Sequence, residues 1–390
     1  MSESPGSEHY PHEVDPAGRD LRAYTDQLRA DHDVVHNVLD EWVLLRHRDV
    51  VAAATDPVTF SSAVSRYLQV PNGLDGLEHA AMRAALDPFM SAEALAPLRQ
   101  PLAQAAQELL RSLPEAVDAI DVGTRFAVRA QSLWLGWPAE LEPQLVAWVA
   151  RNHDAARSPQ HADRVAVAAE FDAIIATLIS QRREGEAPAD VTTALLRTDV
   201  GGRALTDAEV TSILRNWTGG DLGSIALCVG VIAHGLATDP GLQSRLRSGV
   251  SDAEFDAVID ELLRADDPFI SNRRVTTCPV SIGGVDIPAG AKVKLHWTSA
   301  NRDGDVHGDP DAIDAERDPG LNLVYGIGPH ACPGRELATM ELRIAVAALV
   351  DAATFELDPR NPPVREVAPV GGWASVPLLL HKGLAEGRNR

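Results

Sequence analysis

The stretch that decides the fold of this chain is V-Y-G-I-G-P-H-A-C-P-G-R-E-L-A-T-M-E-L, residues 324–342. Gly326 and Gly328 can adopt backbone angles closed to other residues, so this loop can turn sharply and bring main-chain N–H groups close to the sulfur of Cys332. Pro333 is favoured at the first position of a helix, which predicts a helix beginning directly after Cys332. The positive end of a helix dipole lowers the pKa of a thiol and favours the thiolate that binds metals. A lone cysteine is more often a small buried apolar residue, but the surrounding turn favours a ligand.

Residues 325–338, Y-G-I-G-P-H-A-C-P-G-R-E-L-A, resemble the haem-binding loop of the cytochrome P-450 family, F-G-x-G-x-H-x-C-x-G-x-x-L-A. Tyr325 replaces the usual Phe and keeps an aromatic ring. The resemblance implies that Cys332 is the thiolate ligand of haem b, iron protoporphyrin IX, and that His330 lies beside a haem propionate. Tyr325 and Gly326 belong to the same cofactor-binding loop. A thiolate ligand pushes electron density onto iron and favours cleavage of the O–O bond.

Composition and charge restrict the remaining possibilities. The 390 residues are 45% hydrophobic, which is enough for a large core. A net charge of -21 argues against binding to nucleic acid or anionic lipid. The three cysteines (Cys228, Cys278, Cys332) are far apart and fit no zinc spacing, so we expect a reducing, cytoplasmic compartment.

The N-terminal residues and the apolar runs predict a soluble protein. Residues 1–16 have no apolar or basic segment, so we expect no signal peptide or membrane anchor. The nearly uncharged run at residues 222–238 is short for a membrane span. We predict a flexible tail over residues 1–20 and a single domain over residues 21–390. The resemblance, which covers about residues 21–381, points to the soluble bacterial type.

The apolar pattern predicts secondary structure along the whole chain. It indicates helices at residues 21–30, 49–54, 92–112, 126–134 and 162–183, a strand at 41–47, a loop at 61–77 and strands over 280–295. The resemblance implies the fold class: mainly α (α+β), with a large helical region and a smaller β-rich region around a buried haem.

Two residues near the start of one helix are candidate anion ligands. His79 and Arg83 are four apart, so they share a helix face and can bind one anion together. A solvated face is the ordinary alternative, but the spacing matches the H-x-x-x-R of the family, which holds the haem propionates. The resemblance makes Arg274 a further propionate partner. Buried carboxylates need such partners.

A long central helix is predicted from the capping box at Thr206–Glu209 to about residue 237, a length of roughly 45 Å. Its segment N-W-T-G-G-D-L-G-S, residues 216–224, contains three glycines, each costing about 1 kcal/mol in a helix interior. The glycines favour a groove where a ligand approaches and the helix bulges. Close packing against another element is the alternative.

The central helix departs from the family at its catalytic positions. The family pattern is [AG]-G-x-[DE]-T, in which the acid and the alcohol supply protons for oxygen activation. Aligning Gly219 and Gly220 with its first two positions puts Leu222 at the acid and Gly223 at the alcohol, and neither side chain carries a proton. The polar residues Asp221 and Ser224 are each one residue away, about 100° around the helix. The catalytic candidates are therefore Gly220, Asp221, Gly223 and Ser224, with protons coming from Asp221, Ser224, solvent or a substrate hydroxyl.

A second capping box, Ser251–Glu254, predicts a helix that ends at Arg264. Glu261 and Arg264 are three apart, a spacing that usually gives a surface ion pair of small energy. The resemblance implies instead the buried E-x-x-R signature of the family, completed by Arg317. We expect these three residues to serve folding rather than catalysis.

The resemblance also predicts the walls of a substrate pocket. The candidates lie in the loop at 61–77, on the central helix, and near residues 270 and 373. They are Val64, Tyr67, Leu68, Trp217, Gly219, Phe269, Ile270, Trp373 and Ala374. Apolar and aromatic side chains favour an apolar or aromatic ligand. A surface loop without special role, or simple packing, is the alternative for any one of them.

The predicted function is a monooxygenase that inserts one oxygen atom from O2 into a small substrate. The chain has no flavin or iron–sulfur region, so the resemblance implies a separate ferredoxin or similar donor with its reductase. Arg335 and Arg343 are candidates for a basic docking patch on the acidic molecule. The missing acid and alcohol leave two alternatives on the same haem: peroxide-driven oxidation, or a coupling, cyclisation or rearrangement reaction. A non-catalytic haem-binding protein is a further alternative.

Overall fold

The computed structural model describes residues 20–37, 39–185 and 187–382. All but the last residue of the predicted N-terminal tail lies outside them. The fold is mainly helical with small sheets, as predicted. The helices are α1 Leu21–Asp31, α2 His47–Thr55, α3 Gly76–Leu86, α4 Ala92–Leu95, α5 Arg99–Arg111, α6 Ala119–Leu135, α7 Glu142–Arg157, α8 His161–Glu184, α9 Val191–Leu196, α10 Asp207–Thr238, α11 Pro240–Arg247, α12 Asp252–Ala265, α13 Trp297–Ala300, α14 Gly304–His307 and α15 Arg335–Ala352.

The strands are short and form five small sheets among the described residues. They are β1 Val34–His36, β2 Glu41–Leu44, β3 Phe60–Ser61, β4 Ala116–Asp118, β5 Asp199–Val200, β6 Arg203–Ala204, β7 Ser271–Thr276, β8 Val280–Ile282, β9 Val285–Ile287, β10 Lys292–His296, β11 Thr354–Leu357, β12 Val364–Arg365, β13 Trp373–Ser375 and β14 Pro377–His381. The chain divides into two compact units.

The first unit contains the described residues up to 85, residues 260–333 and residues 366–371. Its main sheet has the order β1-β2-β10-β7-β3, in which β10 is parallel to β2 and the other pairs are antiparallel. The apolar face of this sheet packs on α2, with Leu44, Val50, Val293 and Leu295 fully buried. Ile327, in the loop that contains Cys332, packs against the same apolar cluster.

The second unit contains residues 86–259, 334–365 and the described residues from 372 onwards. Its centre is α10, whose N-terminus has the predicted capping box: the Thr206 hydroxyl accepts from the Glu209 N–H, and the Glu209 carboxylate accepts from the Thr206 N–H. α10 packs closely on α6 because Gly123 has no side chain, and a Cβ there would lie 2.9 Å from the Ala226 Cα. Strands β11, β14 and β4 form a small antiparallel sheet in this unit.

α10 is also the one described helix with the length and apolar composition of a membrane span. However, 61% of its most apolar window is buried inside the protein. A buried core helix meets the same criteria, so α10 is weak evidence for a membrane span.

Several predicted boundaries are confirmed and others need correction. α1, α8, α10, α12 and the strands over 280–295 lie where the sequence predicts them. The predicted helix at 92–112 is divided into α4, a 3-10 turn and α5, because Pro97 lacks an N–H to continue the helical hydrogen bonds. The predicted strand at 41–47 ends at Leu44, and His47 already belongs to α2. α3 begins at Gly76, inside the predicted loop.

Candidate functional site

The cysteine loop turns as its glycines predict. Gly326 and Gly328 have φ angles of 66° and 77°, in the left-handed region that favours glycine. A Cβ on Gly328 would lie 2.8 Å from the Ala54 carbonyl oxygen, so this position also needs the missing side chain for space. The Cys332 N–H donates to the Tyr325 carbonyl at 2.8 Å, which closes the turn, and the Cys332 side chain is exposed.

The predicted start of the following helix is wrong by two residues. Pro333 and Gly334 form a turn, and α15 begins at Arg335 with Gly334 as its N-cap. Cys332 therefore lies three residues before the first helical residue rather than at the helix N-terminus. The helix dipole acts mainly within the first turn, so its effect on the sulfur is weaker than the sequence suggests.

Two of the predicted cofactor residues, His79 and Arg83, contact this loop from α3. His79 and Arg83 lie one turn apart on α3, and the rings of His79 and His330 are 4.1 Å apart. Arg83 Nη1 donates to the carbonyls of Pro329 and Ala331, at 3.2 and 3.0 Å. Arg83 therefore fastens α3 to the loop just before Cys332.

Burial and hydrogen bonding together set the charges in this cluster. The pKa of His330 falls to about 4, first because the ring is buried and then because of the nearby positive charges of His79 and Arg274. Burial alone would raise the pKa of Asp75, but hydrogen bonds from the Ser61 hydroxyl, the Ser62 N–H and His330 lower it. At neutral pH, His330 is therefore neutral and Asp75 is ionised.

Arg274, on β7, is a buried cation with donors to spare. It is 6% exposed, and its side chain makes one hydrogen bond, from Nη1 to the Arg273 carbonyl at 2.8 Å. Within the described residues, no carboxylate forms an ion pair with it. A buried charge needs a partner, so Arg274 fits an anionic ligand. Together with His79 and His330, it provides a donor set that fits the carboxylates of a haem.

Two of the three glycines in the α10 segment at 216–224 do not serve close packing. A Cβ on Gly219 or Gly220 would meet no atom within 4 Å, which excludes the packing alternative for these two. A Cβ on Gly223 would lie 3.3 Å from Nε2 of His153, on α7. The segment is α-helical throughout, without the predicted bulge. Trp217 is buried against Trp134 and Phe89, with ring centroids 5.2 and 5.8 Å apart.

The polar residues of α10 face other partners. The Asp221 carboxylate accepts a hydrogen bond from Gln131 on α6 and faces Glu341 of α15. Burial raises the pKa of Asp221 to about 6. Burial, and then the charge of Asp221, raises the pKa of the fully buried Glu341 well above its ordinary value. Leu222 is fully buried in the core, and Ser224 is half-buried.

Sequence reasoning missed Gln131 and Glu341, although one signal was available for the second. Glu341 is four residues after Leu337, so the two share one face of α15, and that face is apolar and buried. A carboxylate on a buried face requires a partner or a proton. No local pattern identifies that partner as Asp221.

Of the three residues predicted to serve folding, both arginines bind the glutamate. Glu261 Oε1 accepts from Arg264 Nη2 at 2.7 Å and from Arg317 Nε at 2.9 Å. Arg264 is fully buried, and its Nη1 and Nη2 groups donate to the carbonyls of Asn301, Pro310 and Ala312. The network joins the end of α12 to the segment at 301–317.

The pocket candidates of the first unit differ in exposure. Val64 is half-buried, whereas Tyr67 and Leu68 are 58% and 47% exposed on the surface loop. Phe269 is half-buried, and its backbone bridges to Val370. Ile270 packs in an apolar cluster with Leu21 and Ala368.

In the second unit, Trp373 has both ring faces covered. The His234 ring stacks on it at 4.0 Å, and the Arg365 guanidinium lies 3.7 Å from its centroid. Ligand contact is therefore limited to the ring edge, which favours the packing alternative for this residue. Ala374, next to it on β13, is half-buried.

The predicted basic docking patch needs correction. Arg343 is largely buried and forms ion pairs with Asp256 at 2.5 Å and Asp252 at 3.5 Å. Its charge is therefore neutralised within the protein. Arg335 is exposed at the start of α15.

Known proteins match this chain both in sequence and in fold. The family model described as Cytochrome P450 matches residues 255–378. The chain is 30% identical to cyclomarin C epoxidase CymV of Salinispora arenicola (strain CNS-205), covering 86% of this chain and 89% of that protein. It is 29% identical to the erythromycin C-12 hydroxylase of Saccharopolyspora erythraea, covering 79% and 81%.

Solved structures match the fold over nearly the whole chain. The open form of cytochrome P450 EryK from S. erythraea superposes with a TM-score of 0.86 at 24% identity, covering 97% of this chain and 99% of that one. The relatives compared by sequence are named as an epoxidase and a hydroxylase. With 30% identity over most of both chains, this protein belongs to the cytochrome P450 family and is an oxidoreductase of the monooxygenase type, which binds haem b through a cysteine thiolate.

Proposed function

We propose that this chain inserts one oxygen atom from O2 into a small apolar or aromatic substrate, using electrons from a separate ferredoxin or similar donor and its reductase. One observation carries the proposal: a sharp glycine loop presents Cys332, and a buried cation with unused donors, Arg274, lies close enough to His330 of the same loop to lower its pKa. Cys332 is the ligand in this proposal. When bound, the haem supplies the activation of dioxygen.

The residues around the loop bind and orient the cofactor. Arg274 and His79 hold the propionates, and the low pKa of His330 keeps its ring neutral, able both to donate and to accept a hydrogen bond. Arg83 fixes the loop through two carbonyls. Tyr325 accepts the Cys332 N–H through its own carbonyl and holds the ligand residue in place.

Two groups of residues support an apolar or aromatic substrate. On α10, the open space beside Gly219 and Gly220 follows directly after Trp217, which packs with Trp134 and Phe89. In the first unit, the candidates are Val64, Tyr67, Leu68, Phe269 and Ile270. The similar proteins are named as a cyclomarin C epoxidase and an erythromycin C-12 hydroxylase, and epoxidation and hydroxylation each add one oxygen atom.

Proton supply separates the main proposal from its alternative. Neither Leu222 nor Gly223 can carry a proton, so protons must reach the reaction from elsewhere: from Asp221, Ser224, solvent or a substrate hydroxyl. This absence also favours the second candidate, peroxide-driven oxidation or a coupling reaction, because a peroxide brings its own protons and electrons.

The chain is proposed to act as one soluble, cytoplasmic P450 domain, from residue 21 onwards. The burial of α10 supports this, since it accounts for the longest apolar helix as core. Electron transfer from a docked partner is expected to depend on salt, because Arg335 is exposed on a molecule of net charge -21.

The test begins with ligation and continues with turnover. The reduced protein with carbon monoxide is expected to show the red-displaced absorption band of thiolate ligation, and Cys332→Ala is expected to lose it. Substrates are then screened by the shift of the haem band on binding. Product formation with NADH, ferredoxin and reductase supports the monooxygenase, whereas product formation with hydrogen peroxide alone supports the second candidate.

A further inference from the structure

A histidine from another helix lies beside the position where the family pattern puts an alcohol. The family pattern puts the alcohol at Gly223. A Cβ on Gly223 would lie 3.3 Å from Nε2 of His153, tighter than ordinary van der Waals contact. Nε2 of His153 is itself shielded from solvent. An imidazole nitrogen, on α7, thus lies beside the position where the family pattern puts an alcohol.

Open space lies beside Gly219, one helical turn earlier on the same side of α10. Gly219 is one turn before Gly223, so the two share a helix face and lie about 6 Å apart along the axis. A Cβ on Gly219 would meet nothing within 4 Å. The space beside Gly219 is therefore within one helical turn of the His153 ring.

The acid of α10 is on another side. Asp221 precedes Gly223 by two residues, which is about 200° around the helix. Its carboxylate is turned towards Gln131 and Glu341. A proton needed beside the glycines therefore has a more direct source in His153 than in Asp221.

We propose that His153 is the proton donor that replaces the acid and alcohol of the family. This inference rests on the proposed monooxygenase function, because oxygen activation consumes the protons. The imidazolium of half-buried His153 gives up a ring proton to a water molecule in the space beside Gly219, becomes neutral imidazole, and regains a proton from solvent. The electrons come from the proposed redox partner. Imidazole suits this step because its ordinary pKa is close to neutral pH.

The test uses the holoenzyme and four variants. His153→Ala removes the donor and makes room, Gly223→Thr restores the alcohol, and the double variant combines the two. His161→Ala, at the exposed start of α8, is the matched control. Product formed per NADH consumed is expected to fall about a hundredfold in His153→Ala, a typical contribution of a general acid, and to stay unchanged in the control.

The double variant distinguishes proton supply from structure. It is expected to recover at least tenfold over His153→Ala, because the threonine hydroxyl enters the vacated volume. Gly223→Thr alone is expected to lose coupling, because its side chain meets the His153 ring. Unchanged coupling in His153→Ala, or no recovery in the double variant, would overturn the proposal. If His153→Ala does not fold, His153→Gln, which keeps the bulk but cannot give up a proton, is expected to show the same loss.

A second readout does not depend on turnover. The infrared stretch of carbon monoxide bound to the reduced holoenzyme responds to an N–H donor near the ligand, so it is expected to shift in His153→Ala and to stay in place in His161→Ala. The same stretch in all three proteins would refute the proposal. Failure of the proposed function is distinguishable: wild-type protein would then give no product with NADH and a reductase system, whatever the carbon monoxide stretch shows.

Discussion

Replacing Glu341 by Gln is predicted to stabilise this protein above about pH 6. Glu341 is fully buried and faces Asp221, whose pKa is raised from 3.8 to about 6. An acid with a raised pKa binds its proton more tightly in the folded state than in the unfolded state. Burial, and then Asp221, raises the pKa of Glu341, so stability falls as the pH rises above the ordinary pKa of Glu341, 4.5.

The structure gives the size of the effect. Burial raises the pKa of Asp221, so that shift persists in the variant, whereas the proton uptake of Glu341 on folding is removed. Each pH unit between the ordinary pKa of Glu341, 4.5, and its raised pKa in the folded protein costs about 1.4 kcal/mol. A glutamine at 341 carries no charge, and its amide can donate to the Asp221 carboxylate. The variant is therefore expected to exceed the wild type by about 1–3 kcal/mol at pH 7–8 and to match it near pH 4.

The assay is urea unfolding of the holoprotein, followed by circular dichroism at several pH values. Glu115→Gln, an exposed glutamate in the same unit, is the control and is expected to change stability by less than about 0.5 kcal/mol. The reasoning is refuted if Glu341→Gln has the same pH dependence of unfolding as the wild type. It is also refuted if the stability gain of the variant over the wild type is smaller at pH 8 than at pH 5.

Three further perturbations test other parts of the structure. Arg264→Met is expected to lower the free energy of unfolding by about 3–5 kcal/mol, because it removes a buried partner of Glu261; the denaturant midpoint measures it, and a small change would contradict the folding role. Arg274→Leu is expected to speed haem transfer to apomyoglobin by about 10–100-fold, since a hydrogen bond to a charged group contributes about 1.5–3 kcal/mol; an unchanged rate would remove Arg274 from the cofactor site. Gly219→Ala is expected to stabilise the helix by up to about 1 kcal/mol. Gly328→Ala is expected to destabilise the protein, because the φ of Gly328 is 77° and the new Cβ would lie 2.8 Å from a carbonyl oxygen. Thermal unfolding of the two variants compares them.

The features that the sequence predicts correctly are those with local causes. The capping box at Thr206 fixes the start of α10, because a hydroxyl and a carboxylate three residues apart satisfy the N–H groups of the first turn. The positive φ angles of Gly326 and Gly328 follow from the lack of a Cβ. Such signals depend on a few neighbouring residues and survive in any tertiary context.

The features that the sequence misses depend on distant contacts. Arg343 looks like an exposed cation on α15, but Asp252 and Asp256 of α12 neutralise it. The Trp373 ring looks available to a ligand, but His234 and Arg365 cover its two faces. In each case the deciding partner is far away along the chain, so no window of local sequence contains the information.

The central helix shows why displacement of an acid by one residue changes its chemistry. Each residue of an α-helix turns by about 100°, so moving the acid from position 222 to 221 exchanges one set of neighbours for another. Asp221 consequently meets Gln131 and Glu341, and the positions it leaves are filled by glycines and by Leu222, which is buried in the core. The glycine side of α10 then has no proton-carrying side chain at the two family positions, and a donor must come from a different helix. Under our proposal that donor is His153, so the position of α7 against α10 sets the coupling of electrons to product. Substitutions that move α7 are therefore expected to affect coupling before they affect haem binding, because the cysteine loop and its cations belong to the other compact unit.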